Sequence, residues 1–384
     1  MDLSQLLKDY SSGYIELFGD HIPLTHLKVL KEIVTCRTKA KGGMTFLCEK
    51  CGEIKYSYHS CKNRHCPKCG GQDSALWLET QTTRLLPVSY HLTTFTIPCE
   101  LRYLCRSNQK LFYSILFKAS SDALNTLLSD PKYAGGCTGF IGILHTWSRT
   151  LDYHPHIHFV VPGGAYDIER NQWNKANGKF LVPVKALSLI FRAKFRDLLK
   201  TMDKKIFNSI PKRIWYQKEF VTNSIPVGKG KAVLKYLAEY VFRVAISNKR
   251  ICSVKDGKVS FRYRPSGTKE YKIMSLDINE FIRRFLQHVL PDGFQKVRYY
   301  GFMSPAAKKT LKTLRCCLGL DNGKTCNDKN NNPETEKKSS KKEYLCPCCQ
   351  TKMIQIDTIA PAQRAPPAFT RTKEYYINHI LKNI

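Results

Sequence analysis

The sequence predicts an α+β protein of hairpin strands and amphipathic helices, preceded by a small metal-binding module. Three observations carry this. Short β-branched and aromatic runs are separated by polar turns. Other stretches repeat apolar residues at a spacing near 3.6. Paired cysteines crowd a segment that has few apolar residues and little core of its own.

Residues 1–45 read as helical, with Leu24, Leu27, Leu30 and Ile33 on one face and Gly42-Gly43 as the stop. Residues 46–73 form the cysteine-rich ribbon. From 74 to 305 the composition is that of a globular domain. Tyr90 to Pro98 reads as a strand and Leu111 to Leu128 as a helix. Gly139 to Trp147 and His156 to Pro162 read as two strands, joined by a hairpin loop from Ser148 to Pro155. Leu187 to Met202 reads as a basic amphipathic helix and Gly230 to Val244 as another. A second hairpin is expected from Val259 to Tyr263 and Tyr271 to Ser275, then a helix from Asn279 to Val289. The C-terminal region, 306–384, contains a polar stretch at 321–343 that reads as a flexible linker, followed by a second cysteine group.

Charge narrows the function classes. Sixty-two Lys and Arg stand against 31 Asp and Glu, a net charge of +31 over 384 residues. Such an excess points to a polyanion, nucleic acid before anionic membrane. No apolar run approaches the ~18 residues of a membrane span, and the N-terminus lacks the pattern of an export signal. A cytoplasmic, nucleoid-associated protein is the expectation. In a reducing compartment, 16 cysteines read as metal ligands before disulfides.

Cys48-x2-Cys51 and Cys66-x2-Cys69 supply two such pairs, each with Gly after its second Cys. Two Cys-x2-Cys turns aim four thiolates at one ion, so these four are expected to close a tetrahedral Zn2+ site. Cys36, Cys61, His59 and His65 stand close enough in sequence to extend that site or to form another. Lys62 and Arg64 between the pairs, and Lys68 within the second, fit either a DNA contact or a solvated face. Cys346, Cys348 and Cys349 make half a further site, with Cys316, Cys317 or Cys326 available as the other half.

His156-Ile157-His158 places two imidazoles on one face of a strand and Ile157 on the other. Two such rings can hold a divalent cation with positions left open for substrate oxygens. His145 stands opposite them in the expected hairpin; His154 is a rival third ligand. Tyr236 and Tyr240, four residues apart, share a helix face, and Arg243 follows one turn later. A phenol can serve as a nucleophile on a phosphodiester, although the same spacing is ordinary in core packing.

Together these features resemble the HUH endonucleases, metal-dependent single-strand nucleases with His-hydrophobe-His on a central strand and a tyrosine on a later helix. More closely, the chain resembles the two-tyrosine rolling-circle transposases of the insertion-sequence ninety-one family. The likeness runs through Cys48-x2-Cys51-Gly and Ser60-Cys-Lys-Asn-Arg-His-Cys-Pro-Lys-Cys69. It continues through Phe95-Thr-Ile-Pro98, His145-Thr-Trp and His154-Pro-His-Ile-His-Phe-Val-Val-Pro-Gly-Gly164. It then takes in Tyr236-Leu-x2-Tyr240-Val-x-Arg243-Val-Ala-Ile-Ser-Asn248 and Val297-Arg-Tyr-Tyr-Gly-Phe302.

The resemblance implies a nuclease domain with a central antiparallel sheet flanked by helices. It implies Mg2+ or Mn2+ on His156 and His158, with His145 as third ligand, and Tyr236 and Tyr240 as nucleophiles. Each tyrosine would form a 5′-phosphotyrosine link and release a 3′ hydroxyl; a new 3′ hydroxyl would reverse the step. The expected partners are single-stranded or hairpin DNA at element ends, and target DNA. A replication initiator or relaxase would use the same chemistry at an origin. A non-catalytic zinc-ribbon protein would bind DNA without cutting it.

Overall fold

A computed structural model describes residues 2–69, 77–176, 181–230, 233, 241, 243–320, 343–362 and 371–383. The expected nucleophiles Tyr236 and Tyr240 lie outside the described residues, as do most of the helix expected over 230–244 and the linker at 321–342.

Packing divides the chain into two units, 1–71 with 246–289 and 327–384, and 72–245 with 290–326. This differs from the contiguous division at 74–305 expected from sequence. The reason lies in the partners of two segments. Leu3 N–H donates to Asn248 Oδ1 at 3.0 Å, tying the start of the chain to the 246–289 piece. The C-terminal residues pair with the N-terminal sheet by a backbone ladder.

The second unit is organised by a five-stranded antiparallel sheet. Its strands are β3 (Ser89–Thr96), β4 (Gly139–Trp147), β5 (Tyr153–Pro162), β8 (Val221–Lys229) and β12 (Val297–Gly301), in the order β12-β4-β5-β3-β8. The two histidine strands are therefore central. β-Alternation sorts their side chains cleanly. Phe140 and Leu144 of β4, with Ile157, Phe159 and Val161 of β5, enter one apolar core. That core is completed by helices Gln109–Leu128 and Val184–Met202. Ile141, Ile143 and Val160 join a second core on the opposite face, with Val233, Val241, Phe302 and Leu314. The histidines belong to this second face by parity. Strands β8 and β12 are additions to the sequence reading. β8 is a mostly exposed edge strand, so no clear apolar alternation announces it.

The first unit packs helix Leu3–Phe18, capped by the Asp2 carboxylate, with helices Leu24–Val34 and Lys373–Leu381. Lys31 Nζ donates to Tyr375 Oη at 2.7 Å across that packing. The expected hairpin is present as Lys258–Tyr263 and Lys272–Asp277, joined by a third strand, Ile251–Lys255. A separate three-stranded sheet holds β1 (Gly43–Leu47) between β2 (Ile54–Tyr58) and β13 (Ile354–Ile359). Among the described residues no helix is long and apolar enough to cross a membrane.

Candidate functional site

The three expected histidines meet on the second face of the central sheet. Antiparallel pairing sets His145 directly opposite His156, and Ile143 opposite His158. The register shifts between His145 and Trp147. Pro155 falls opposite this irregularity and beyond the end of the β3 ladder, where its missing N–H breaks no regular pair. Ring centroids lie 5.6 Å apart for His145 and His156, 5.0 Å for His145 and His158, and 4.7 Å for His156 and His158. One nitrogen from each lies within 4.8 Å of the others, a spacing that can accept one ion. The His154 ring lies tilted against His156 at 5.1 Å yet stands outside this group.

Hydrogen bonds orient two of the rings. His156 Nδ1–H donates to the His154 carbonyl at 2.7 Å, which leaves Nε2 with the lone pair. His158 Nδ1 meets Thr94 Oγ1 at 2.9 Å, and Thr94 pairs with His158 across the β3–β5 ladder. Burial, then the neighbouring His154 and the cations Arg243 and Arg102, holds the pKa of His156 down to about 3. Burial, then Arg102, holds His154 down to about 4. His158 is pushed well below the usual range, first by burial and then by His156 and Arg243. All three are neutral near pH 7, the form a metal needs.

This has a measurable consequence for the fold. Between the folded values and the ordinary 6.5, an unfolded chain takes up protons that the folded chain refuses. The stability contributed by neutral histidines is therefore complete above about pH 6.5 and lost as pH falls towards 4. Without added Mg2+ or Mn2+, denaturant unfolding is expected to show a loss on the order of 3 kcal/mol for each of His154 and His156 across that window. Replacing His154 and His156 by Gln should flatten the slope.

Two further residues surround the cluster. Lys296 Nζ donates to the carbonyls of Val241 (3.2 Å) and Arg243 (2.9 Å) and lies 5.2 Å from the Trp147 ring centroid. Trp147 in turn stacks on His145 at 4.7 Å. A continuous set of contacts thus joins the Val241 and Arg243 carbonyls to the histidine hairpin. Arg102 acts electrostatically on His154 and His156, and its Nε is buried with no hydrogen-bond partner among the described residues. Sequence reading missed Lys296 and Arg102, because neither sits in a motif or near the histidines in sequence.

The cysteines require a correction. Cys48, Cys51, Cys66 and Cys69 do not share one site. Cys66 and Cys69 gather with Cys36 and Cys61; Cys48 and Cys51 gather with Cys346 and Cys349. The Cys66–Cys69 knuckle is completed by the nearby Cys61 and by Cys36, and the Cys48–Cys51 knuckle by Cys346 and Cys349 from the far end of the chain. In the first quartet, Sγ atoms lie 3.5 Å apart for Cys36 and Cys69, 3.5 Å for Cys61 and Cys69, and 3.8 Å for Cys66 and Cys36. A tetrahedral Zn–S bond of about 2.3 Å gives edges of about 3.8 Å, whereas a disulfide needs about 2.05 Å. The quartet fits Zn2+. Of the loop cations, Lys62 and Arg64 are exposed, while Lys68 pairs with Asp2 at 3.0 Å, so its charge serves the fold.

Comparison with known proteins agrees with this geometry. Residues 139–310 match the family described as "Putative transposase", and residues 6–97 match the "Transposase zinc-binding domain" of IS91-type proteins. The chain is similar to "Putative transposase y4qJ" of Sinorhizobium fredii, 35% identical over 381 residues, covering 93% of this chain and 95% of the relative. It is also similar to "Transposase for insertion sequence element IS801" of Pseudomonas savastanoi pv. phaseolicola. That match is 25% identical over 295 residues, with 72% and 70% covered. No solved structure matches at the same stringency.

Proposed function

Because the chain belongs to the IS91 family of transposases, whose activity is on DNA, we propose that it nicks and rejoins single-stranded DNA through 5′-phosphotyrosine links. The observation that carries this reading is the triad of imidazoles His145, His156 and His158, gathered on two central strands with one nitrogen from each within 4.8 Å of the others. These three residues would hold a divalent cation with positions left open, Mg2+ or Mn2+ in this proposal, and the cation would polarise a phosphate oxygen.

The residues of the chain do the rest. The His154 carbonyl and Thr94 hold the His156 and His158 rings in orientation. Arg243 and Arg102 supply positive charge near the same rings, as a phosphate would require. Tyr236 or Tyr240 acts as nucleophile. The phenolic oxygen loses its proton and forms a bond to phosphorus; the bond from phosphorus to the 3′ oxygen breaks, and that oxygen leaves as a hydroxyl after protonation. Attack by another 3′ hydroxyl runs the step backwards and transfers the strand, with no outside energy source. Support for the tyrosines comes from their flanks. Val233 and Val241 both pack in the core on the histidine-bearing face, and the carbonyls at 241 and 243 are held by Lys296.

Strand polarity tests the reading. A single-stranded oligonucleotide from an element end, incubated with Mg2+, is expected to leave its 3′-side fragment on the protein. The 5′-side fragment should be released with a hydroxyl that a polymerase extends. Binding without cleavage would favour a non-catalytic zinc-ribbon protein. Cleavage confined to a replication or transfer origin would favour an initiator or relaxase.

A further inference from the structure

We propose that Cys48, Cys51, Cys346 and Cys349 form a second zinc site, a split ribbon whose halves come from opposite ends of the chain. Zinc in this site would fasten the 343–359 segment to the N-terminal sheet. The proposal is independent of the histidine centre and of strand cleavage.

Distance is the first argument. Sγ atoms lie 3.4 Å apart for Cys48 and Cys349, 3.5 Å for Cys51 and Cys346, and 3.7 Å for Cys349 and Cys51. These are the edges of a tetrahedron around a zinc-sized ion, close to about 3.8 Å and far above the length of a disulfide. Four sulfurs with no carboxylate or imidazole among them select a soft ion such as Zn2+ over Mg2+ or Ca2+.

The second argument is that the two halves are built alike. In the N-terminal half, Cys48 N–H donates to the Glu53 carbonyl at 2.9 Å, and the Cys48 carbonyl accepts from Gly52 N–H at 2.8 Å. In the C-terminal half, Cys346 N–H donates to the Thr351 carbonyl at 2.8 Å, and the Cys346 carbonyl accepts from Gln350 N–H at 3.0 Å. The partners stand at the same offsets, five and four residues on. The residue four places on is left-handed in both, φ 75° at Gly52 and 58° at Gln350. For Gln350, with its Cβ, that conformation is uncommon and needs its surroundings to hold it. Each knuckle also closes an antiparallel hairpin, β1 with β2 in one case and the Leu345–Lys352 bridge in the other. Two independent segments have thus adopted one knuckle geometry and face each other through four sulfurs.

The third argument is energetic. The apolar cluster around the site consists of Phe46, Cys48, Cys346 and Met353, with Met44, Tyr344 and Cys349 at its edge. Phe46 and Tyr344 rings lie 4.2 Å apart. So small a core does not hold a C-terminal segment by itself, and small scaffolds of this kind rely on a metal. The β1–β13 ladder, which also joins this segment to the sheet, is irregular between Thr45 and Phe46.

Cys348 supplies an internal control. It lies between the two ligands, is exposed, and stands outside the quartet. Alkylation of the full-length, zinc-containing chain followed by peptide mass mapping tests the proposal. Cys348 should label at once. Cys51, equally exposed, and Cys349 should label at least ~10-fold more slowly, until a chelator removes the metal and equalises them. Equal labelling of Cys51, Cys349 and Cys348 in the zinc-loaded chain would overturn the site. Metal analysis gives a second reading. The parent and Cys348→Ser chains should hold two zinc ions, one for each cysteine quartet, and Cys346→Ser/Cys349→Ser one. Two ions retained in that double variant would also overturn it. Should the variant precipitate, the labelling of the parent chain decides alone. Neither outcome touches the nicking reaction.

Discussion

Replacing His156 or His158 with Ala is expected to lower Mg2+-dependent cleavage of single-stranded DNA by at least about 10³-fold, or about 4 kcal/mol of barrier. Each removes one of the three nitrogens, within 4.8 Å of one another, that are proposed to hold the cation. His154→Ala is the matched control. That ring is as close as 5.1 Å to His156 but outside the triad, so its loss should cost about tenfold or less. Zinc content should remain at the parent level in all three variants, because the cysteine quartets lie in the other packing unit. Full activity in His156→Ala, or the reverse ranking with His154→Ala inactive, would mean that the ligand set is wrong. Single-turnover cleavage of a labelled oligonucleotide is the measurement.

The second large effect concerns the phenols. Tyr236→Phe with Tyr240→Phe removes both proposed nucleophilic oxygens and little else. The covalent protein–DNA product should vanish, while the affinity for the same oligonucleotide stays within about twofold, since phosphate contacts and positive charge carry that binding. Either single variant should still form a covalent product on the remaining tyrosine, at a reduced rate. Covalent product at the parental rate in the double variant would exclude these residues.

How much was readable before the structure depended on the range of the interactions. Strand alternation is local, so His156 and His158 could be placed on one face and Ile157 in the core from spacing alone. The hairpin offered both His145 and His154. Register chose between them: His145 sits across from His156, while the irregularity between His145 and Trp147 leaves His154 beyond the triad. The cysteines group differently from the sequence reading for the opposite reason. Two Cys-x2-Cys pairs close in sequence looked like one site, but Cys51 and Cys346 are brought together across 295 residues by the β1–β13 pairing. No local pattern carries such a contact. The alternation of Ile354, Ile356 and Thr358 in β13 is faint because most of that strand is exposed. Lys296 was invisible on the same grounds. Its partners are backbone carbonyls 53 and 55 residues away and the face of an indole, neither of which marks a sequence.

The most direct measurement of the central claim is the identity of the residue joined to DNA. The chain is incubated with a single-stranded element-end oligonucleotide and Mg2+, denatured, trimmed with nuclease and digested with trypsin. Cleavage after Lys235 and Arg243 isolates Tyr236 to Arg243 as one peptide. This peptide is expected to gain the mass of a nucleotide linked through its 5′ phosphate to Tyr236 or Tyr240. A nucleotide on any other peptide, or a cut strand with no nucleotide on the protein, would contradict that expectation.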